Sequence, residues 1–348
     1  MADLIRTGIL SYGMSGKVFH APLLDAHPSF RLKKVLERNS ARAMERYSYV
    51  EISKSMEEFL SDPELDLVIV NTPNSTHYEF AKKALQAGKH VVLEKPFTNT
   101  VEEGQELIGL AEKQGLLLTA FQNRRWDSDF LTVQQVLKSG MLGEIVEFEA
   151  HYDRFRNYVE ENTWKEERAP GSGILYNLGS HMLDQALVLF GLPKSITADI
   201  RIQRPGGTVD DNYEVVMDYG KVKVTVKSSY MVREQGPRYM IYGVEGSFIK
   251  YGLDVQEQAL KEGFLPGGPE WGVEPEFDWG IINTQVGGLH VKGNIESLPG
   301  NYMAFYENLA AAISEGAELA VKPEQALDVI KVIEVARQSS DEGKKILL

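Results

Sequence analysis

Cysteine is absent from this chain of 348 residues, which excludes disulfides, thiolate zinc sites and cysteine nucleophiles. Long apolar runs are missing too. The longest, such as Leu67-Val68-Ile69-Val70 and Leu116-Leu117-Leu118, fall far short of the roughly 20 residues that a membrane helix requires. Residues Met1-Ala2-Asp3-Leu4-Ile5-Arg6 carry no basic segment, long apolar core or twin arginine. No secretory signal is visible there, and a cytoplasmic location is the expectation. Positive charge is scarce: 37 Lys and Arg face 50 Asp and Glu, a formal charge of −13. Such a field repels phosphate backbones, and basic pairs such as Arg124-Arg125 and Lys82-Lys83 are too small to make a nucleic-acid footprint. With 43% apolar and 25% charged residues the composition is globular. At roughly 150 residues per domain, two domains are expected.

What the chain does have is alternation. Short apolar runs at 6–10, 31–36, 65–70, 90–93 and 116–120 read as strands. Helical periods at 16–26, 41–47, 77–87 and 101–114 fall between them. That order predicts an α/β domain over 1–122 with a parallel sheet covered on both faces. Thr76 is a candidate cap for the third helix. Thr100, with Glu103 three residues on, predicts a capping box for the fourth. From Glu144 the pattern changes to strand alternation, with β-rich runs near 195–204, 213–219, 221–231, 238–242 and 247–251 around a helix at 179–190. A second, α+β domain over 123–348 follows, with a mostly antiparallel open sheet and a C-terminal helix able to pack back on the first domain. A free sheet face must meet water or another subunit, so a homodimer or homotetramer through that sheet is expected. Residues 262–300, rich in Gly and Pro, read as long loops, followed by helices at 302–314 and 323–338.

The first strand runs into Ser11-Tyr12-Gly13-Met14-Ser15-Gly16, just before a helix. The dinucleotide fingerprint G-x-G-x-x-G is met at two of its three glycines, with Ser11 at the first. Gly13 would admit a diphosphate to the backbone. Gly16 would let the helix pack on the strand, and the amides of this turn would hold the anion. About 20 residues on, the second strand ends in Glu37-Arg38. The Glu37 carboxylate can accept from adenosine ribose hydroxyls and would repel a 2′-phosphate, whereas Arg38 can attract that phosphate. The balance gives NAD a slight advantage over NADP. The loop Thr72-Pro73-Asn74, followed by His77, leaves the carboxyl end of a strand, as does Glu94-Lys95-Pro96. Asn123 and Arg125 follow the strand read at 116–120. Tyr152, Arg154 and Arg156 alternate on a strand, and Trp164 and Lys165 precede a glycine-rich segment. No ligand spacing among Asp153, Glu160 and Glu161 supports a metal.

The Glu94-Lys95-Pro96 triplet and the segment Gly173-Ile174-Leu175-Tyr176-Asn177-Leu178-Gly179-Ser180-His181-Met182-Leu183-Asp184 resemble the Gfo/Idh/MocA family, of glucose–fructose oxidoreductase and inositol dehydrogenase type, over essentially the whole chain. Gly16-Lys17-Val18-Phe19-His20-Ala21-Pro22, Gln122-Asn123-Arg124-Arg125-Trp126-Asp127 and Phe248-Ile249-Lys250-Tyr251-Gly252 look most like the branch that contains NADP-dependent scyllo-inositol 2-dehydrogenase. The resemblance implies a Rossmann domain, a second domain, a site between them and hydride transfer between nicotinamide and an alcohol carbon of a sugar, polyol or inositol. It implies Lys95 as the catalytic lysine and His181 as proton acceptor in oxidation. The chemistry agrees: an alcohol loses hydride only as its hydroxyl loses a proton, and an ammonium beside the oxygen stabilises alkoxide. Tyr12, Gly13, Met14, Ser15, Gly16, Glu37, Arg38, Thr72, Pro73, Asn74, His77, Glu94, Lys95, Pro96 and Asn123 are the expected cofactor residues. Arg125, Tyr152, Arg154, Trp164, Lys165, Asn177 and His181 are those expected for substrate.

Two positions depart from the family pattern. Ser11 replaces a glycine. Asn177 stands where the family carries a catalytic aspartate, four residues before His181, and an amide cannot exchange a proton at neutral pH. Asn177 is therefore counted with Lys95 and His181 as a catalytic position that can hold a hydroxyl. It also favours a rival reading: a catalytically weak dinucleotide- or sugar-binding regulator of the same fold. The presence of both Lys95 and His181 favours the enzyme.

Overall fold

The computed structural model describes residues 4–161 and 163–348. The chain divides into two compact units. The first holds residues up to Asn123 together with Gln256–Trp271 and Asn301–Leu327. The second holds Arg124–Val255, Gly272–Gly300 and Asp328–Leu348.

The first unit is built on six strands: β1 (Ile5–Ile9), β2 (Phe30–Leu36), β3 (Glu51–Ser53), β4 (Leu67–Val70), β5 (His90–Leu93) and β6 (Leu118–Ala120). All pair in parallel in the order β3-β2-β1-β4-β5-β6. Every side chain of β4 is buried, as a strand covered on both faces requires. Connections reverse direction between β1 and β4, and a switch point of this kind opens a crevice at the carboxyl ends of the strands. The helix ends follow local chemistry in part. Thr100 accepts the Glu103 amide, while the Glu103 carboxylate reaches back to the Asn99 amide rather than to Thr100. Thr76 does not cap the helix His77–Gln86 as expected. Its hydroxyl turns instead to Thr72 Oγ1 and the Pro73 carbonyl, both at 2.7 Å. A sequence-remote helix, Met303–Glu315, completes this unit. Its Phe305 meets Phe121 edge-on with centroids 4.9 Å apart, and its Tyr306 meets Phe30 at 5.6 Å.

The second unit carries nine strands: β7 (Ile145–His151), β8 (Ser195–Arg201), β9 (Asn212–Asp218), β10 (Lys223–Ser229), β11 (Tyr239–Gly243), β12 (Gly246–Lys250), β13 (Gly280–Val286), β14 (Leu289–Ile295) and β15 (Ile346–Leu347). Their order is β14-β13-β12-β11-β7-β10-β9-β8-β15. Among the described residues only the β7/β10 pair of this sheet is parallel. Gly220, at φ +94°, closes the β9/β10 hairpin. One row across the sheet, Ile196, Met217, Val224, Phe148, Ile241, Phe248 and Ile282, is wholly buried. The next row, Thr197, Val216, Thr225, Glu149, Met240, Ile249 and Ile281, points to the opposite face. The loops expected over 262–300 need correction. They contain β13 and β14, paired antiparallel around Gly287-Gly288, a two-glycine hairpin turn.

Candidate active site

In the first unit the glycine turn follows β1 directly. The Lys17 amide donates to the Gly13 carbonyl at 2.9 Å. The amides of Met14, Ser15 and Gly16 therefore lie ahead of the helix ladder, where a helix cannot pair its own donors. A side chain at Gly16 would place its Cβ 2.0 Å from the Ser11 carbonyl oxygen and 2.8 Å from Asn71 Nδ2, so only glycine fits. Ser11 does not splay the turn: its Oγ accepts the Gly13 amide at 3.2 Å. Asn71, at the end of β4, donates to the Ser11 carbonyl at 2.7 Å and ties the two strand ends together. Sequence reading passed over Asn71 because its partner is 60 residues away. This closely packed turn, with amides at a helix start beside the switch point, fits the diphosphate of a dinucleotide. Tyr12 is buried beside it, and Met14 is exposed.

Glu37 is placed differently from the expectation. Its carboxylate is buried and turned into its own loop. Oε1 accepts Ser40 Oγ at 2.6 Å and Oε2 accepts the Ala43 amide at 2.9 Å. Burial raises the Glu37 carboxyl, but these bonds and Arg42 outweigh it, and the group titrates below its ordinary range. Both oxygens are thus used within the protein. What faces outward at the end of β2 is basic: Arg38 is exposed, as is Arg42, whose Nε lies 3.6 Å from Glu37 Oε1.

The loop after β4 has Thr72 and Asn74 half-buried and Pro73 exposed. Asn99 Nδ2 donates to the Asn74 carbonyl at 3.1 Å. His77 does not face outward with them. It is buried, and both ring nitrogens meet main-chain carbonyls, Nδ1 that of Pro96 at 2.8 Å and Nε2 that of Thr72 at 3.0 Å. Burial lowers its imidazole below the ordinary value, against those bonds and Glu94. The ring therefore staples the β4 loop to the β5 loop. Glu94 is also inward: Oε1 meets His20 Nε2 at 3.0 Å and Oε2 accepts the Lys95 amide at 3.0 Å. Lys95 itself is half-buried at the carboxyl end of β5, before the buried Pro96. Thus Gly13, Gly16, Thr72, Asn74 and Lys95 share the carboxyl edge of the parallel sheet, while Glu37, His77 and Glu94 brace it from within. Asn123, buried, follows β6 along the same edge.

In the second unit the glycine-rich segment forms a π-helical turn, Leu175–Gly179, that runs into the helix Ser180–Phe190. Turns of this type recur at functional sites. Asp210 fixes its start, accepting the Leu175 amide at 2.9 Å and Arg337 at 2.8 Å. Asn177 is half-buried within the turn and His181 is buried in the first turn of the helix. Arg125 was expected toward substrate. Its guanidinium instead forms a buried fork on Asp184, Nε to Oδ2 at 2.8 Å and Nη2 to Oδ1 at 2.7 Å. That pair anchors the helix carrying His181. Tyr152 is buried, and the guanidiniums of Arg238, Arg124 and Arg154 lie 4.3, 5.2 and 5.3 Å from its ring centre. Beyond β7 the amides of Tyr152, Arg154 and Arg156 still bond along β10 and its end, at 3.1, 2.9 and 2.7 Å. Trp164 and Lys165 sit exposed on a short 3-10 turn.

Known proteins agree with this architecture. The oxidoreductase-family profile for the NAD-binding Rossmann fold matches residues 5–122, and the profile for the family's C-terminal alpha/beta domain matches 134–348. Over 347 residues the chain is 42% identical to scyllo-inositol 2-dehydrogenase (NADP(+)) IolW of Bacillus subtilis, covering 99% of this chain and 96% of that protein. The solved structure of the oxidoreductase yvaA from Bacillus subtilis superposes with a TM-score of 0.96 at 40% identity, covering 100% of this chain and 99% of that one. An oxidoreductase structure from Bacteroides fragilis gives 0.92 at 44% identity, covering 99% and 100%.

Proposed function

The chain belongs to the Gfo/Idh/MocA oxidoreductase family, and on that premise we propose that it moves a hydride between a nicotinamide dinucleotide and an alcohol carbon of a neutral polyol, sugar or inositol. The observation that carries this reading is the glycine turn and Lys95 on one carboxyl edge of the parallel sheet, in a chain 42% identical to an inositol dehydrogenase. Bound nicotinamide would supply the hydride acceptor or donor. The Lys95 ammonium would hold the reacting hydroxyl and stabilise alkoxide character, and His181 would take the proton in oxidation and return it in reduction. Asn177 would hold a hydroxyl without exchanging a proton.

For the cofactor, the physical basis for favouring NAD was an outward Glu37. With that carboxylate bonded inward and Arg38 and Arg42 outside, we infer that a 2′-phosphate is accommodated and NADP preferred. Copies of the chain would associate through the free sheet face, where Val216, Met240, Ile249 and Ile281 form an apolar band.

A panel of inositols, sugars and polyols with NAD and NADP separately, followed by nicotinamide absorbance, tests the reading. Turnover with at least one cyclitol or sugar is expected. A protein that binds dinucleotide but turns over no alcohol or ketone would overturn it in favour of the regulatory reading that Asn177 raises.

A further inference from the structure

Lys95 is supported by a buried chain of polar groups that starts nearly at the other end of the sequence. Tyr306, on the helix Met303–Glu315, places its hydroxyl 2.7 Å from His20 Nδ1. His20 Nε2 lies 3.0 Å from Glu94 Oε1, and Glu94 Oε2 accepts the Lys95 amide at 3.0 Å. His20 and Tyr306 are fully buried, and Glu94 nearly so. The direction of the chain follows from the groups. A carboxylate only accepts, so His20 Nε2–H donates to Glu94. Burial and then Glu94 hold the Tyr306 phenol well above its ordinary value, so its O–H is present to donate to Nδ1. The titratable groups that face Glu94 are His20, Lys95 and His77. Burial raises the Glu94 carboxyl, but the His20 bond and these neighbours prevail and leave it below the ordinary range. An ionised carboxylate in a dry setting is costly unless donors surround it. Here His20 and the Lys95 amide supply them, and Tyr306 holds the His20 ring in place. His20 and Tyr306 expose no surface through which to meet a ligand.

We propose that Glu94, His20 and Tyr306 are positioning residues that act through Lys95, the buried Glu94 carboxylate fixing its main chain and favouring its ammonium form. The proposal rests on the role assigned to Lys95 above. A carboxylate beside an ammonium raises its pKa, so removing that charge lowers it. His20 matters because a buried Glu94 without its donor takes up a proton and loses the same charge.

The test needs no substrate. The ε-carbon resonance of Lys95, assigned with Lys95→Arg in protein carrying 13C-lysine, is titrated in the wild type and in variants. Glu94→Gln is expected to lower the Lys95 midpoint by about one pH unit. His20→Leu is expected to lower it similarly, whereas His20→Gln, whose amide N–H can still donate to Glu94, restores it. Tyr306→Phe is expected to lower it by less than His20→Leu. Identical Lys95 titration in wild type and Glu94→Gln would overturn the proposal, and Glu94→Gln suffices if His20→Leu does not fold. A His20→Gln midpoint as low as that of His20→Leu would remove His20 from it, and an unchanged midpoint in Tyr306→Phe would remove Tyr306. A protein inert to every polyol but shifted in these titrations refutes the hydride-transfer reading alone. An active protein with unshifted titrations refutes this proposal alone.

Discussion

Glu37, Glu94, His77 and Arg125 are polar residues at strand ends or turns, and each is turned inward. From sequence they read as ligand-facing, because a carboxylate or ring after a strand is where a crevice lies. The competing use is set by partners that sequence order hides. Ala43 and Ser40 capture Glu37, two carbonyls capture His77, and Asp184 captures Arg125. The glycines were legible for the opposite reason: Gly16 answers to a contact five residues away, the Ser11 carbonyl. The inward Glu37 changes the expected cofactor response. Arg42→Ala should lower kcat/KM for NADP at least about tenfold, the loss of one charge-assisted phosphate contact, and leave NAD nearly unchanged. Equal losses for both dinucleotides in steady-state assays would place Arg42 away from the 2′-phosphate.

At the scale of elements, most of the parallel half was readable because buried strands and helical periods alternate with marked ends, but the short β3 and the helix Met56–Leu60 were missed. The hairpin of β13 and β14 was not readable, since Pro and Gly on its approaches masked a short alternation around Gly287-Gly288. The helix Ser180–Phe190 shows how a buried ion pair fixes an element. The Arg125–Asp184 fork grips its first turns, with side chains 9% and 3% exposed. Removing one partner of a buried pair leaves a charge without its counterpart, at about 3–5 kcal/mol. Asp184→Asn is therefore expected to lower stability by roughly that amount in urea unfolding. Arg125→Met combined with Asp184→Leu should lose less than Asp184→Asn, because neither charge of the pair is left without its counterpart. A double variant as unstable as Asp184→Asn would show that the fork is worth more than its charge balance.

At the scale of the whole molecule, remote segments complete each of the two units. Tyr306 reaches His20 across 286 residues, a pairing that no local pattern announces. The second unit's free sheet face carries charged pairs such as Lys227–Glu214 around its apolar band. Ile281→Lys, at a site 38% exposed on that band, should shift a homo-oligomer toward monomer in light scattering with the fold intact. An unchanged mass would place the interface elsewhere. The role proposed for Lys95 at the reacting hydroxyl is read out by the rate of nicotinamide reduction in Lys95→Ala. With dinucleotide still bound and the variant folded, kcat is expected to fall at least about a hundredfold. Turnover close to wild type in that variant would contradict that role.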